Sequence, residues 1–508
     1  MKRNLVLLAF IVLKFILSYA LVNPVFELHR DEFLHLDQAN HLAFGYLSVP
    51  PLTSWVALLI KLLGNGVFWV KFFPCLFGAL TMAIVWKAIE SLGGSWFALI
   101  TGATAILLSV LLRLNILFQP NSFEVLAWTF IYFSLLRYIQ SGNVKWLYFA
   151  ATGVALGFLN KYNIAFMVLG LLPALLLSPQ RSIFVKKKFW LAASLGAILI
   201  LPNLIWQFTN GFPVIHHMKE LKETQLVNVD RGDFLKEQLL FFFGSIHILI
   251  AAFIGLLTYK PLRPYRLFLW AFLLSLGLFV VFQAKGYYAI GLYPILFAFG
   301  AVYLEKRLKG KPGMVLQAAS VALTVGFFIA TYPLAFPVDE PAVIKERVKN
   351  NPDLHLSRWE DGKDHELPQD FADMLGWKEL ASKTDAALAT LPSNEHTIIL
   401  CDNYGQTGAI NFYKKDKRAN AVSFNADYLN WFDLEKPIQN IILVQEASDD
   451  DTNRKRVRAL FESMQKIGEI TNPFAREKGT SVYVLKSAKV DVNAILRSKI
   501  ESEKRSWK

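Results

Sequence analysis

Long apolar runs separated by short basic loops constrain this chain more than any other feature. Eleven of them fall near residues 4–21, 67–86, 93–112, 122–139, 146–160, 163–179, 189–206, 238–258, 265–283, 287–304 and 314–332. A helix needs roughly 20 apolar residues to cross a bilayer core, with a working range of about 17–25. The runs predict eleven transmembrane helices. Segment 52–64 is apolar but too short to cross, and it reads as a helix lying along the outer interface.

The loops fix an orientation. Lys2, Arg3, Lys87, Arg137, Lys145, Arg181, Lys186 to Lys188, Lys260, Arg263, Arg266, Lys306, Arg307, Lys309 and Lys311 fall on one side with only Glu90 and Glu305 as acids. By the positive-inside rule that side is cytoplasmic. The N-terminus is then inside and everything after residue 332 outside. Residues 1–332 hold 27 Lys+Arg and 12 Asp+Glu, a net +15, whereas residues 333–508 hold 26 and 28, a net −2. The basic excess of the chain is therefore topological, and it argues against a nucleic-acid partner. Lys2-Arg3 with the run that follows resembles a signal sequence, but the many later spans favour an uncleaved anchor. Cys75 and Cys401 are the two cysteines, too few for a disulfide framework or a metal motif.

Tyr332-Pro333 and Phe336-Pro337-Val338-Asp339-Glu340-Pro341 mark an exit from the membrane part. Beyond it, helical periodicity at 370–390 and 452–467 alternates with strand-like His396–Cys401, Ile438–Val444 and Ser481–Lys486. The expected organisation is a polytopic α-helical domain over 1–332, an extracytoplasmic α/β domain over 333–488 and a polar, mobile tail over 489–508.

The polar residues able to do chemistry gather on the outer side. Asp31-Glu32 lies in His29-Arg30-Asp31-Glu32-Phe33-Leu34-His35, just past the first span. On a helix Asp31, His35 and Gln38 share a face. Such a carboxylate suits a general base, and a helix N-cap is the structural alternative. Glu124, near Asn121 in the Pro120 loop before Trp128, should face a polar cavity, because a carboxylate in hydrocarbon is costly. Lys161, in Leu159-Asn160-Lys161-Tyr162-Asn163, and Lys285, in Lys285-Gly286-Tyr287-Tyr288, sit at outer turns where a lysine can bind a lipid phosphate or simply snorkel. Loop 207–237, with His216-His217, could cover the site or remain solvated. Asp31 with His35 could hold a metal. A divalent ion is possible, but no ligand spacing supports one and no cofactor is required.

Taken in order, Asp31-Glu32, Gly45-Tyr46, Pro50-Pro51-Leu52, the Pro120 loop ending at Trp128, and Leu159-Asn160-Lys161 resemble the bacterial dolichyl-phosphate-mannose–protein mannosyltransferase family. This is glycosyltransferase family 39, of GT-C fold, with the aminoarabinose lipid A transferases as relatives. Leu367-Pro368-Gln369-Asp370-Phe371-Ala372-Asp373-Met374 and Asn403-Tyr404-Gly405-Gln406 look like its outer-domain motifs. The resemblance implies transfer of a sugar, with inversion, from a polyprenyl-phosphate carrier to an acceptor outside the inner membrane of a bacterium. The acceptor would be lipid A, a glycan or a protein. It implies Asp31 as base and Lys161 on the carrier phosphate. From the chemistry alone, Glu32 or Glu124 could stand beside the base, Lys285 could join Lys161 on the phosphate, and Asn121 could line the substrate site. Tyr287, Tyr288, Trp55 and His35 would line the substrate path. Two departures stand out. Asn121 replaces an Asp that many relatives carry, and Ser48-Val49 replaces the Glu-Lys pair of aminoarabinose transferases. A lipid flippase and a lipid-linked glycan ligase are the competing functions, although no repeat of the transporter kind is visible.

Overall fold

The computed structural model describes residues 2–448 and 451–506. Its membrane part comprises α1 (Lys2–Ala20), α2 (Arg30–Gln38), α3 (Leu52–Leu62), α4 (Val67–Ser91), α5 (Trp96–Leu107), α6 (Val110–Leu114), α7 (Pro120–Ser141) and α8 (Lys145–Asn160). It continues with α9 (Ile164–Leu176), α10 (Lys187–Thr209), α11 (Pro213–Thr224), α12 (Arg231–Phe241), α13 (Ile246–Thr258), α14 (Arg266–Val281), α15 (Pro294–Arg307) and α16 (Gly310–Ala335). The expected spans all fall on helical segments, but 93–112 is divided between α5 and α6 and 238–258 between α12 and α13.

Among the described residues, five helices are long and apolar enough to cross a bilayer, or up to eight if each bent pair is one span. Only 11% of the apolar window of α10 and 17% of that of α16 is buried within the protein. Rows of exposed leucine, isoleucine and phenylalanine on a helix this apolar are stable only against lipid. The chain is a multi-pass membrane protein. Inside the bundle, Trp86, Trp128, Phe268, Phe279 and Phe297 are fully buried and form the centre of one large core. Close helix approach uses small residues: a Cβ on Gly170 would meet Ser275 Oγ at 2.1 Å and one on Gly300 would meet the Ile248 carbonyl at 2.0 Å.

The outer part comprises α17 (Pro341–Lys349), α18 (Gln369–Ala372), α19 (Trp377–Ala389), α20 (Tyr404–Tyr413), α21 (Asp451–Ala459) and α22 (Val492–Ser506) around a five-stranded sheet. Its strands are β1 (Thr397–Cys401), β2 (Ala421–Ser423), β3 (Asn440–Gln445), β4 (Phe461–Glu469) and β5 (Ser481–Ala488), in the order β2-β1-β3-β5-β4. β1 pairs parallel with β2 and β3, with Ile399 opposite Ala421 and Ile442. β5 is antiparallel to β3 and β4. The strands buried on both faces are the ones whose sequences are continuously apolar.

Two expectations fail here, and one strand was not foreseen. Residues 452–467 are not one helix: α21 stops at Ala459 and the chain enters β4, a polar edge strand paired on one side only. β2 has three residues, too short to leave a pattern. The stretch after Lys489 is not a bare tail, because Val492 and Leu496, one helical turn apart, pack α22 onto the sheet.

The outer part sits on α2. Phe33 packs edge-on against Trp377 and Tyr413. A Cβ on Gly408 would lie 2.6 Å from Phe33 Cβ, so only glycine lets α20 approach this closely. A single core joins Leu21, Phe26, Phe33 and Phe118 to Phe371, Trp377 and Ile410.

Candidate active site

α2 begins where it does because of a capping box. His29 Nδ1 accepts from the Asp31 backbone N–H at 3.2 Å, and Glu32 reaches back to accept from the His29 N–H at 2.6 Å. The second Glu32 oxygen accepts from the Phe118 N–H at 2.6 Å. Burial pushes the Glu32 carboxyl upward, and these two N–H donors oppose the rise. Glu32 thus ties the helix start to the loop before α7.

Asp31, one residue earlier, turns the other way. Its side chain is 39% exposed and opens onto a cavity of about 1070 Å³. Tyr404 Oη donates to its Oδ1 at 2.6 Å and Gln119 Nε2 donates to its Oδ2 at 3.1 Å. Burial would raise the carboxyl, but His29, Arg30 and the Tyr404 hydroxyl outweigh it and hold Asp31 below the usual value. His35, a turn along, bonds Gln38 at 3.2 Å, and burial lowers its pKa, keeping the imidazole neutral.

Lys161 caps α8 and enters the same cavity. Its Nζ donates to Asn121 Oδ1 at 2.8 Å and lies 3.4 Å from Glu124 Oε2. Glu124 also accepts from Asn163 Nδ2 at 2.7 Å. Burial lowers the Lys161 pKa and Glu124 opposes the fall. The ammonium sits 4.2 Å from the Tyr288 ring centre and 5.2 Å from that of Tyr287, within cation–π range. Asn121 Nδ2 in turn donates to Gln119 Oε1 at 3.1 Å. A continuous chain, Asp31–Gln119–Asn121–Lys161–Glu124, therefore links the carboxylate to the ammonium.

Lys285, Tyr287 and Tyr288 line the same cavity, the two tyrosines beside Lys161. Lys285 is held by Gln225 and Glu360, the latter from the outer part. Arg113 pairs with Asp370 at 3.0 Å across the rim between the two parts, and Arg476 pairs with Asp373 at 3.1 Å within the outer part. Among the described residues, no group of three or more His, Cys, Asp or Glu side chains is set to hold a metal ion.

A carboxylate, Asp31, and an ammonium, Lys161, thus face one cavity beside the membrane bundle. Residues 48–206 match the model of the dolichyl-phosphate-mannose-protein mannosyltransferase family. That stretch is about a third of the chain, and the fold as a whole is of the GT-C class. The chain's similarity to the lipid A galacturonosyltransferase RgtD of Rhizobium johnstonii is 29% identity over 209 residues, 40% of this chain and 43% of that one. The match thus spans less than half of the curated relative. Its fold is that of ArnT from Cupriavidus metallidurans. The crystal structure of that protein bound to undecaprenyl phosphate aligns with a TM-score of 0.60 and 14% identity, over 96% of this chain and 98% of that one. The apo structure gives 0.58 and 15%. At these identities the likeness concerns the fold alone.

Seven of the expected residues surround the cavity: Asp31, His35, Asn121, Lys161, Lys285, Tyr287 and Tyr288. Three do not line it. Glu32 is consumed by the helix cap, and Glu124 lies behind Lys161 as its counter-ion. Trp55 projects from α3 with 37% of its surface exposed. Loop 207–237 is mostly helical, as α11 and α12, and brings His216 and His217 to the cavity. Sequence reasoning missed Gln119 and Tyr404 as partners of Asp31. Both lie inside motifs that the family resemblance had flagged, but neither carries a charge.

Proposed function

We propose that this protein is a membrane glycosyltransferase that moves a sugar from a polyprenyl-phosphate carrier to a hydroxyl of an extracytoplasmic acceptor, with inversion. One observation carries the reading: Asp31 and Lys161 face one cavity and are spaced by Gln119 and Asn121. Asp31 takes the proton of the acceptor hydroxyl as its oxygen bonds to the anomeric carbon. The carbon–oxygen bond to phosphate breaks, and its electron pair leaves on the carrier phosphate. Lys161, with Lys285 in the same cavity, offsets the charge that develops there. Attack and departure fall at opposite ends of the hydrogen-bonded chain, as an in-line displacement needs.

The names of similar proteins support the substrate class. RgtD is named for galacturonosyl transfer to lipid A, and ArnT was crystallised with undecaprenyl phosphate. Lipid A, or another glycan exposed outside the inner membrane, is the favoured acceptor. The favoured topology has a cytoplasmic N-terminus and a periplasmic outer domain. This domain covers residues 333–488 in our reading.

The test is to reconstitute the protein in lipid with a panel of undecaprenyl-phosphate sugars plus outer-membrane glycolipid. Release of undecaprenyl phosphate together with labelled acceptor supports the transferase. Intact labelled carrier crossing the bilayer, with no cleavage, supports the flippase. Transfer of an oligosaccharide supports the ligase.

A further inference from the structure

Tyr404 is the first residue of α20, and it reaches Asp31 from 373 positions away in the chain. The turn that delivers it is fixed by its N-cap, since Asn403 Oδ1 accepts from the Gln406 N–H at 3.0 Å. The ring is held as well. The Arg30 guanidinium lies 4.6 Å from its centre, and the neighbouring Gly405 sits so near Arg30 that a Cβ there would lie 3.3 Å from the side chain. Gly408, one turn on, is packed against Phe33. The hydroxyl therefore has little freedom to turn away from the carboxylate.

An ionised carboxylate offers about four lone-pair sites. Tyr404 occupies one on Oδ1 and Gln119 one on Oδ2, which leaves the cavity-facing sites for an incoming hydroxyl. We propose that Tyr404 is a positioning residue for the transfer reaction, orienting the Asp31 carboxylate from the outer domain so that the base is complete only while that domain is docked on α2. The inference rests on the reading of Asp31 as the base. A phenol suits the task because it supplies a hydrogen bond without a second formal charge. Burial and the adjacent Asp31 keep its proton in place by raising its pKa well above the ordinary value. The other charged or titratable groups facing Asp31 are His29, Arg30 and His35 around α2, Asp373 ahead of α19, and Tyr287 beside Lys161. None of them donates a hydrogen bond to Oδ1 among the described residues.

The test compares full-length wild type and Tyr404→Phe in lipid vesicles, because phenylalanine keeps the ring under Arg30 and removes the donor alone. Carbodiimide attacks protonated carboxyls, so adduct formation at Asp31 against pH, read by peptide mass, follows its titration without any turnover. The half-modification pH of Asp31 is expected to rise by about one unit in Tyr404→Phe, the equivalent of one lost charged hydrogen bond. The acid limb of kcat/KM should move upward by the same amount, with kcat down about tenfold and donor KM within about twofold. A labelling curve unchanged in Tyr404→Phe overturns the inference, whatever the enzyme does. A shifted curve in a protein that cleaves no donor upholds the contact and discards the transferase reading instead. A purely structural role would lower thermal stability and leave both curves where they are.

Discussion

Lys161 donates to Asn121 at 2.8 Å, and the same amide passes its own N–H to Gln119, the residue that holds Asp31. A neutral amide at position 121 can serve both neighbours at once, as acceptor on one side and donor on the other. An aspartate there would have to accept from both. Gln119 would then turn its amide over and present oxygen to Asp31. Asn121→Asp is therefore expected to raise the pH of the acid limb of kcat/KM and to weaken donor binding, because a second carboxylate would neutralise Lys161. Asn121→Leu should break the chain at both ends and lower kcat/KM by roughly 10- to 100-fold, the worth of one charge-assisted hydrogen bond. Steady-state kinetics against pH distinguish the two variants.

Lys161→Ala should raise the KM for the carrier-linked sugar by at least about tenfold, with a smaller effect on thermal stability. Unchanged donor affinity would return Lys161 to the class of snorkelling lysines.

Glu124→Gln acts in the opposite sense. It removes the carboxylate partner of Lys161, which is itself only 18% exposed, and should destabilise the protein by about 3 kcal/mol. Activity per folded molecule should fall less than in Lys161→Ala. The measurement is thermal unfolding in detergent alongside kcat/KM.

Glu32→Gln separates capping from chemistry. Its new amide must face one of the two backbone N–H groups that now donate to Glu32. A loss of about 1–3 kcal/mol is expected, with the acid limb of the pH profile unmoved. A shifted limb would restore Glu32 to a share in the proton transfer.

The pH dependence follows from the sign of the Asp31 shift. Its folded pKa is depressed, so the stabilisation it contributes is present above the unfolded value and is lost as pH falls through the folded one. Activity should accordingly be level on the acid side down to the ordinary aspartate range, near 4, before it falls. An acid limb near pH 6 would mean that the base is another group.

What was legible in the sequence divides along physical lines. Apolar runs and the pair of carboxylates that opens α2 are local signals, legible from a few neighbouring residues. The same holds for β1, β3 and β5, which are buried on both faces and so are continuously apolar. β4 misled because an edge strand needs no apolar face, and Glu462, Gln465 and Lys466 on it are exposed. Glu32 and Asp31 look alike as letters. The Phe118 N–H, 86 positions on, takes the second Glu32 oxygen, while Asp31 turns to the cavity. The Tyr404 contact is longer still in sequence and uses an uncharged group, so nothing in the local pattern announces it.

The central claim is that one cavity holds a base and a phosphate-binding cation for glycosyl transfer. The most direct measurement is the rate of polyprenyl phosphate release from a carrier-linked sugar in vesicles, for wild type and Asp31→Asn side by side. Asparagine keeps the Tyr404 hydrogen bond but cannot take a proton, so release should fall by roughly 10²- to 10⁴-fold while the unfolding temperature stays close to wild type. Release at the wild-type rate from Asp31→Asn would contradict the account.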